Sequence, residues 1–392
     1  MHYRTHRGCT FSEIGIGCYA LSGAYGQKDP HSYRQMLQRA IELGVTFFDT
    51  ANTYGDLAEE LLGEVILPYR SSIFLATKAG MQGNQKSDLS RSGVLNACEE
   101  SLRRLQTEYI DLYQIHYDDP LTPVGETLEA LDELVKTGKI RNYGIGHLPM
   151  ERIREYLQTG KIFSGQYELS AVARDTRKEI LPLLLTHHTG LIAFSVTGRG
   201  LLASQVGKKP SFEPGDIRVI DPLFQRDRYQ SALRITHKFI ELGQLYGKSS
   251  TQTAIAWVLS QPGVICALTG PSSIAHLEEN LGGSNWLIAK EHLDELEQFF
   301  TAEDEQLQKE LRQSIRGILE DPVSSDSTQV IQDLIYVIET AITYGWIEQE
   351  KIMPYFMEIW QEKKAGKQAS LQKLESTRHE IAALIDPSVL LR

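Results

Sequence analysis

Four polar residues are the chemical starting point. Asp49 closes the run VTFFD, Tyr54 lies five residues on in DTANTYG, Lys78 closes FLATK, and His116 closes DLYQIH. Singly, each has an ordinary reading. An aspartate after a strand caps a helix or turn, a lysine is usually solvated, and a histidine is usually a satisfied structural group. Together they form an acid–base set. A tyrosine has an unperturbed pKa of ~10 and is a poor acid near neutrality. A lysine ammonium within a few ångströms favours the phenolate and lowers that value. The aspartate would hold the lysine charged and in place. A neutral histidine would donate a hydrogen bond to a carbonyl oxygen and orient it. Such a set protonates an oxygen as negative charge develops on it, which a carbonyl needs while accepting a hydride. No HExxH motif or other metal-ligand spacing accompanies it, so the expected hydride donor is an organic cofactor.

The chemistry requires elements that bring these residues together. Short apolar runs at Val45–Asp49, Ile73–Thr77, Ile110–Ile115, Ile140–Ile145, Phe163–Gln166, Leu191–Ser195 and Val264–Leu268 read as buried parallel strands. Amphipathic stretches such as Ser32–Leu43, Ala58–Leu67, Gly93–Leu105 and Val124–Lys136 lie between them. Strands alternating with helices make βαβ units. With a weak eighth strand at Asn285–Leu287, the count fits an α/β fold of the closed (β/α)8 TIM barrel type, a doubly wound open sheet being the alternative. The three strands that carry Asp49, Lys78 and His116 end on one rim of such a barrel, the rim where barrel enzymes work.

The pattern changes near residue 300. From 301 to 392 only helices are expected, near 302–319, 328–344, 348–363 and 368–385. The expected organisation is therefore a barrel over 1–300 and an all-helical C-terminal segment over 301–392. That segment holds ten Lys/Arg and sixteen Asp/Glu, more than half of the total charge of −11. A net acidic chain argues against binding nucleic acid or an anionic membrane through a basic face. No apolar run approaches the ~20 residues that span a bilayer. MHYRTHRGCT lacks a signal peptide's apolar core, and four scattered cysteines form no CxxC pair, so a cytoplasmic protein is expected. GIGCYA (Gly15–Ala20) fits G-x-G-x-x-A but opens no helix, and Gly243–Ser249 is one residue short of a P-loop.

At this point the chain resembles the aldo-keto reductase family, over roughly residues 8–300. DTANTYG with EELLGEVI (Glu59–Ile66), SLRRLQTEYIDLYQIH (Ser101–His116) and LTGPSSIAHLEENL (Leu268–Leu281) are similar to three spaced signatures of that family. The resemblance implies a (β/α)8 barrel and reversible NADPH-linked carbonyl reduction without metal, with NAD as the less usual cofactor. It implies that Asp49, Tyr54, Lys78 and His116 are the catalytic tetrad, with Tyr54 as general acid. It assigns Gln166 to the nicotinamide carboxamide and Phe194 to the aromatic position that stacks on the nicotinamide ring. Gly200 and Leu201 match the glycine-leucine turn after the sixth strand. Gly270, Ser272, His276, Glu279 and Asn280 match the positions that hold the adenosine end, where a helix start offers free N–H groups to phosphate.

Three departures stand out. Gly146-His147 replaces the family's Ser-Asn on the carboxamide, with His147 in the place of the asparagine. Ser195-Val196-Thr197 replaces Ser-Pro-Leu. The clamp offers Ser272 and His276 where many members use Arg or Lys on the 2′-phosphate, and Arg199 and Lys208 are the nearby alternatives. Tyr19, Tyr25 and Tyr117 are candidates for an apolar substrate mouth, and Val206–Arg228 reads as a loop over the rim. The expected function is reduction of an aldehyde or ketone, the partner being a small carbonyl compound. The alternative is a cofactor-sensing or scaffolding protein of low activity that works through 301–392, by self-association or a protein partner.

Overall fold

The computed structural model describes residues 1–81, 86–203, 211–213, 215–322, 324–365 and 370–391. It divides into two compact units: Met1–Asp221 with Ala232–Leu293, and Pro222–Ser231 with Asp294–Arg392. In the first unit, β1 (Tyr3–His6) and β2 (Cys9–Ser12) form an antiparallel hairpin. Eight parallel strands follow: β3 (Ile14–Gly17), β4 (Phe47–Asp49), β5 (Phe74–Ala79), β6 (Ile110–Ile115), β7 (Ile140–Gly146), β8 (Ser164–Glu168), β9 (Gly190–Phe194) and β10 (Val264–Thr269). They pair in sequence order, and β10 closes on β3 to complete the barrel. Ten helices belong to the connections: α1 (Pro30–Glu42), α2 (Asp56–Ile66), α3 (Arg91–Arg104), α4 (Val124–Lys136), α5 (Met150–Thr159), α6 (Asp175–Lys178), α7 (Ile180–Thr186), α8 (Arg226–Tyr246), α9 (Ser250–Ser260) and α10 (Ile274–Leu281).

The eighth strand is not the expected one. Asn285–Leu287 is irregular, with Asn285 in the left-handed region at φ 64°. The place is taken by β3, in the stretch of GIGCYA. Two glycines hide it from a search for β-branched runs. Gly15 is required by packing: a Cβ there would lie 2.8 Å from Leu268 and 2.9 Å from Phe47. Asp49, Lys78 and His116 thus lie at or just past the ends of the second, third and fourth barrel strands.

The interior is layered by the two-residue period of strands. At the N-terminal end, Phe11 from the hairpin packs on Phe47 and Phe74, with ring centroids 5.2 and 4.7 Å away, and Phe74 stacks on Phe163 at 5.9 Å. Moving along the same faces by even steps, Phe47 leads to Asp49, Phe74 to Lys78 and Leu112 to Gln114. Four aromatic side chains make a dry floor, and the polar layer sits above it. The outer face of β5 is fixed as well. Thr77 donates to buried Glu59 of α2 (2.6 Å), which also accepts from Arg104 of α3 (2.7 Å). This holds β5 in register behind Lys78.

The second unit is helical: α11 (Lys290–Glu320), α12 (Ser327–Thr343), α13 (Gln349–Ala365), α14 (Leu371–Leu384) and α15 (Pro387–Leu391). The first helix starts twelve residues before the sequence pattern placed it (302), because no breaker separates Leu293, Leu296 and Phe300 from the acidic stretch that follows. Leu311, Ile315, Leu334, Val337, Ile338, Ile352, Ile359 and Ile381 form a core of their own. Pro222–Ser231, which includes the first turn of α8, is tied to α12: Tyr336 donates to Asp227 (2.7 Å), and Arg226 pairs with Asp333. Among the described residues, no helix is long and apolar enough to cross a membrane.

Candidate active site

Asp49 ends β4, Lys78 lies near the end of β5, and His116 follows β6. Tyr54 reaches back from the loop before α2, whose turn is made by Gly55 at φ 89°. The structure brings the four together. The Lys78 Nζ donates to Asp49 Oδ1 (2.6 Å), to the backbone carbonyl of Thr50 (2.8 Å) and to Tyr54 Oη (3.0 Å). An ammonium has three protons, and these three acceptors use them all. Because Tyr54 Oη is an acceptor in this bond, its own proton is left to serve a second partner. The rings of Tyr54 and His116 meet edge to face at 5.8 Å.

Electrostatics differ from the sequence expectation at one point. Tyr54 is held well above its ordinary value, by burial first and then by the negative charge of Asp49, so the lysine does not depress it in this state. Burial also lifts Asp49, against the pull of Lys78, Gln166 and Gln114. Burial, followed by the charges of Lys78 and His147, lowers His116 to about 2, so its imidazole is neutral at physiological pH. Its Nδ1 is buried without a partner among the described residues. A neutral imidazole of this kind is a hydrogen-bond donor at the rim rather than a charge.

Five of the cofactor candidates lie on or immediately after the strands around the tetrad. Gly146 ends β7, and a Cβ there would come within 3.2 Å of the Gln166 carbonyl oxygen. His147 follows in the left-handed region (φ 46°). Its ring stacks on Tyr117 at 5.0 Å and tilts on Phe194 at 5.4 Å. Burial and Lys78 lower its pKa. Gln166 is buried in the polar layer of the barrel. Ser195 follows β9 in the left-handed region (φ 54°). Gly200 (φ 94°) closes the turn Gly198–Gly200, and the buried Leu201 follows it.

The remaining candidates form a separate group at β10 and α10. Gly270 follows β10, and Ser272 Oγ lies 2.8 Å from His276 Nδ1, both exposed. Glu279 accepts from Ser249, the N-cap of α9 (3.0 Å), and Asn280 is buried. Arg199 is engaged between Glu168 (2.9 Å) and Asp221. Lys208 lies outside the described residues, as do 206–210 and 214 of the loop Val206–Arg228. Tyr19 stands edge-on to Tyr54 at 5.0 Å and to Tyr25 at 5.8 Å, which gives the mouth an aromatic side.

These residues suit a nicotinamide dinucleotide. Gln166 offers an amide edge beside the tetrad, Phe194 a ring face, and Gly200 a backbone that a side chain does not cover: a Cβ there would meet nothing within 4 Å. The exposed Ser272 and His276 at a helix start suit a phosphate. Sequence reasoning missed two parts of the site. One is the Thr50 carbonyl, which side-chain reading cannot find. The other is Gln114, whose Nε2 donates to Gln166 Oε1 (2.6 Å) and to Asp49 Oδ2 (3.4 Å). The period-two alternation of DLYQIH puts it on the face of His116, so the signal was present.

The model of the aldo/keto reductase family matches residues 13–300. The chain is 30% identical over 327 residues to the aldo-keto reductase YhdN of Bacillus subtilis (strain 168), covering 81% of this chain and 94% of the relative. Its structure is similar to that of the glycerol dehydrogenase AKR11B4 from Gluconobacter oxydans, with a TM-score of 0.69 and 27% identity over 83% of this chain and 98% of the other. It is also similar to an aldo/keto reductase from Klebsiella pneumoniae solved in complex with NADP and acetate, with a TM-score of 0.61 and 26% identity over 76% of this chain and 94% of the other.

Proposed function

The chain belongs to the aldo/keto reductase family of oxidoreductases, and on that premise we propose that it reduces an aldehyde or ketone to the alcohol, with NADPH as the cofactor. The observation that carries this reading is the saturated ammonium of Lys78. With all three of its protons spent on Asp49, Thr50 and Tyr54, the lysine fixes the phenol as an acceptor toward the barrel and a donor toward the rim.

The bound nicotinamide supplies the hydride. Gln166, His147 and Ser195 would hold its carboxamide edge, Phe194 its ring, and Gly200 with Leu201 the adjoining backbone. Ser272 and His276 would meet the phosphates of the adenosine end, with Gly270, Glu279 and Asn280 beside them. At the carbonyl, neutral His116 donates a hydrogen bond to the oxygen and sets its direction. Tyr54 gives its proton to that oxygen as the charge of an alkoxide grows there. An alkoxide is a stronger base than a phenolate, so the raised pKa of Tyr54 does not stop the transfer. It keeps the proton in place until charge develops. Lys78 stabilises the phenolate left behind, and Asp49 keeps the lysine oriented.

The test is a parallel titration of the purified protein with NADPH and NADH, followed by intrinsic fluorescence, and then cofactor oxidation with a panel of aldehydes and ketones. Saturable NADPH binding with carbonyl-dependent oxidation is the expected outcome. Tighter binding of NADH overturns the choice of cofactor, and binding of neither overturns the reading.

A further inference from the structure

The polar layer of the barrel contains an amide that the chemistry above does not use. Gln114 lies on β6, level with Lys78 on β5 and with Gly144 on β7. Both amides in this layer have their orientation fixed by their neighbours. Gln114 Nε2 faces two acceptors, Gln166 Oε1 at 2.6 Å and Asp49 Oδ2 at 3.4 Å. Gln166 Nε2 faces Asp49 Oδ1 at 3.3 Å, and that same oxygen accepts from Lys78. Turning the Gln166 amide over would set its oxygen against the Asp49 carboxylate and its NH2 against the NH2 of Gln114. Both contacts would be repulsive, so only one orientation is allowed.

The neighbouring strand is shaped for this arrangement. A Cβ on Gly144 would lie 3.3 Å from Gln114 Cγ and 2.8 Å from the Ser164 carbonyl oxygen. Glycine therefore leaves the glutamine room to lie across β7 toward β8. Gln114 Oε1 is buried without a partner among the described residues. Leaving a buried acceptor unpaired is unfavourable, so a glutamine here is poorly explained by stability alone.

We propose that Gln114 is a positioning residue that locks the Gln166 amide with its oxygen presented to the cofactor, and so makes the site selective for a carboxamide that can donate an N–H. The inference rests on the reading of Gln166 as the carboxamide partner. An amide oxygen has two lone pairs. Gln114 occupies one and fixes the direction of the other. The same side chain ends on Asp49, so the orientation of the cofactor-binding amide and of the Asp49–Lys78 pair is set by one hydrogen-bonded cluster.

The experiment compares binding of NADP+ with binding of its 3-acetylpyridine analogue, in which a methyl ketone replaces the carboxamide and the N–H donor is gone. Wild-type protein should prefer NADP+ by roughly tenfold, the worth of one good hydrogen bond. Gln114→Met keeps the size of the side chain but cannot donate, so one of the two contacts that hold the Gln166 amide is lost and its NH2 turns more readily to the ketone. The preference should then fall several-fold or vanish. In Q114M/Q166M the preference should be no weaker than in Q166M alone. If Q114M does not fold, Q114L also lacks a donor and should weaken the preference in the same way. A folded Q114M that keeps the full wild-type preference overturns the proposal while leaving the carbonyl-reductase reading intact. Wild-type protein that binds neither dinucleotide overturns both.

Discussion

Lys78 is the hydrogen-bond donor to Tyr54, across 3.0 Å, and the tyrosine oxygen is the acceptor. The direction of this one bond organises the site. It points the only free phenol proton away from the barrel interior, where a substrate oxygen can take it. On the proposed mechanism it would let a residue with a raised pKa act as an acid, because the stabilising cation is already in contact before any charge forms.

Removing the cation should damage the fold as well as the chemistry. Lys78 and Asp49 are both about 3% exposed. Lys78→Met leaves the Asp49 carboxylate buried without its ion-pair partner, a loss of about 3–5 kcal/mol for pairs of this kind. Chemical denaturation should show that loss, and Asp49→Asn in the K78M background should recover much of it. A K78M protein as stable as wild type would show that the pair is not held as a buried ion pair.

Acid sensitivity should trace to His116. Its folded pKa, at about 2, lies far below the ordinary imidazole value of 6.5. Between those values the unfolded chain binds a proton that the folded protein does not, so stability falls as pH drops below about 6.5. The slope from this residue approaches about 1.4 kcal/mol per pH unit. The dependence of stability on pH between about pH 7 and pH 5 should be flatter for His116→Gln. An unchanged slope would mean that His116 is not buried neutral.

His147 sits at φ 46°, a conformation that asparagine tolerates and a β-branched residue resists. His147→Asn and His147→Val both lose the ring contacts to Tyr117 and Phe194. The valine variant should be less stable than the asparagine variant by about 1–2 kcal/mol, the cost of the left-handed backbone. Equal thermal midpoints would argue that the turn relaxes.

In the helical unit, Tyr336 donates to Asp227 at 2.7 Å. Burial and this carboxylate raise the phenol's pKa. Tyr336→Phe should cost about 1.5–3 kcal/mol, as hydrogen bonds to charged groups do. The readout is the urea midpoint of the full chain, and no shift would place the pair among solvent-screened contacts.

Much of this was legible in the chain because burial and position leave separate marks. Strands buried on both sides read as short, mostly apolar runs, and Asp49, Lys78 and His116 stand at or just past the C-terminal ends of three of them. The barrel followed from the alternation of such strands with amphipathic helices. What escaped did so for identifiable reasons. Ile14–Gly17 carries its strand in two glycines, one of them demanded by the packing of Leu268 and Phe47. The start of α11 escaped because no breaker lies between Leu293 and the acidic stretch after Phe300. The direction of the Tyr54 shift depends on how completely the ring is buried beside Asp49, which no spacing reveals. Gln114 could have been found, since it shares a strand face with His116, but its importance depends on Gln166, which lies 52 residues away in the chain.

The central claim is that Tyr54 delivers the proton, and the most direct test is steady-state carbonyl reduction by Tyr54→Phe, paired with its NADPH dissociation constant. The ring and its packing are kept and only the hydroxyl is lost. Turnover should fall by about 10²–10⁴-fold, the usual worth of a positioned general acid, with cofactor binding unchanged. Wild-type turnover in Y54F would contradict the assignment and move the proton donor elsewhere on the rim.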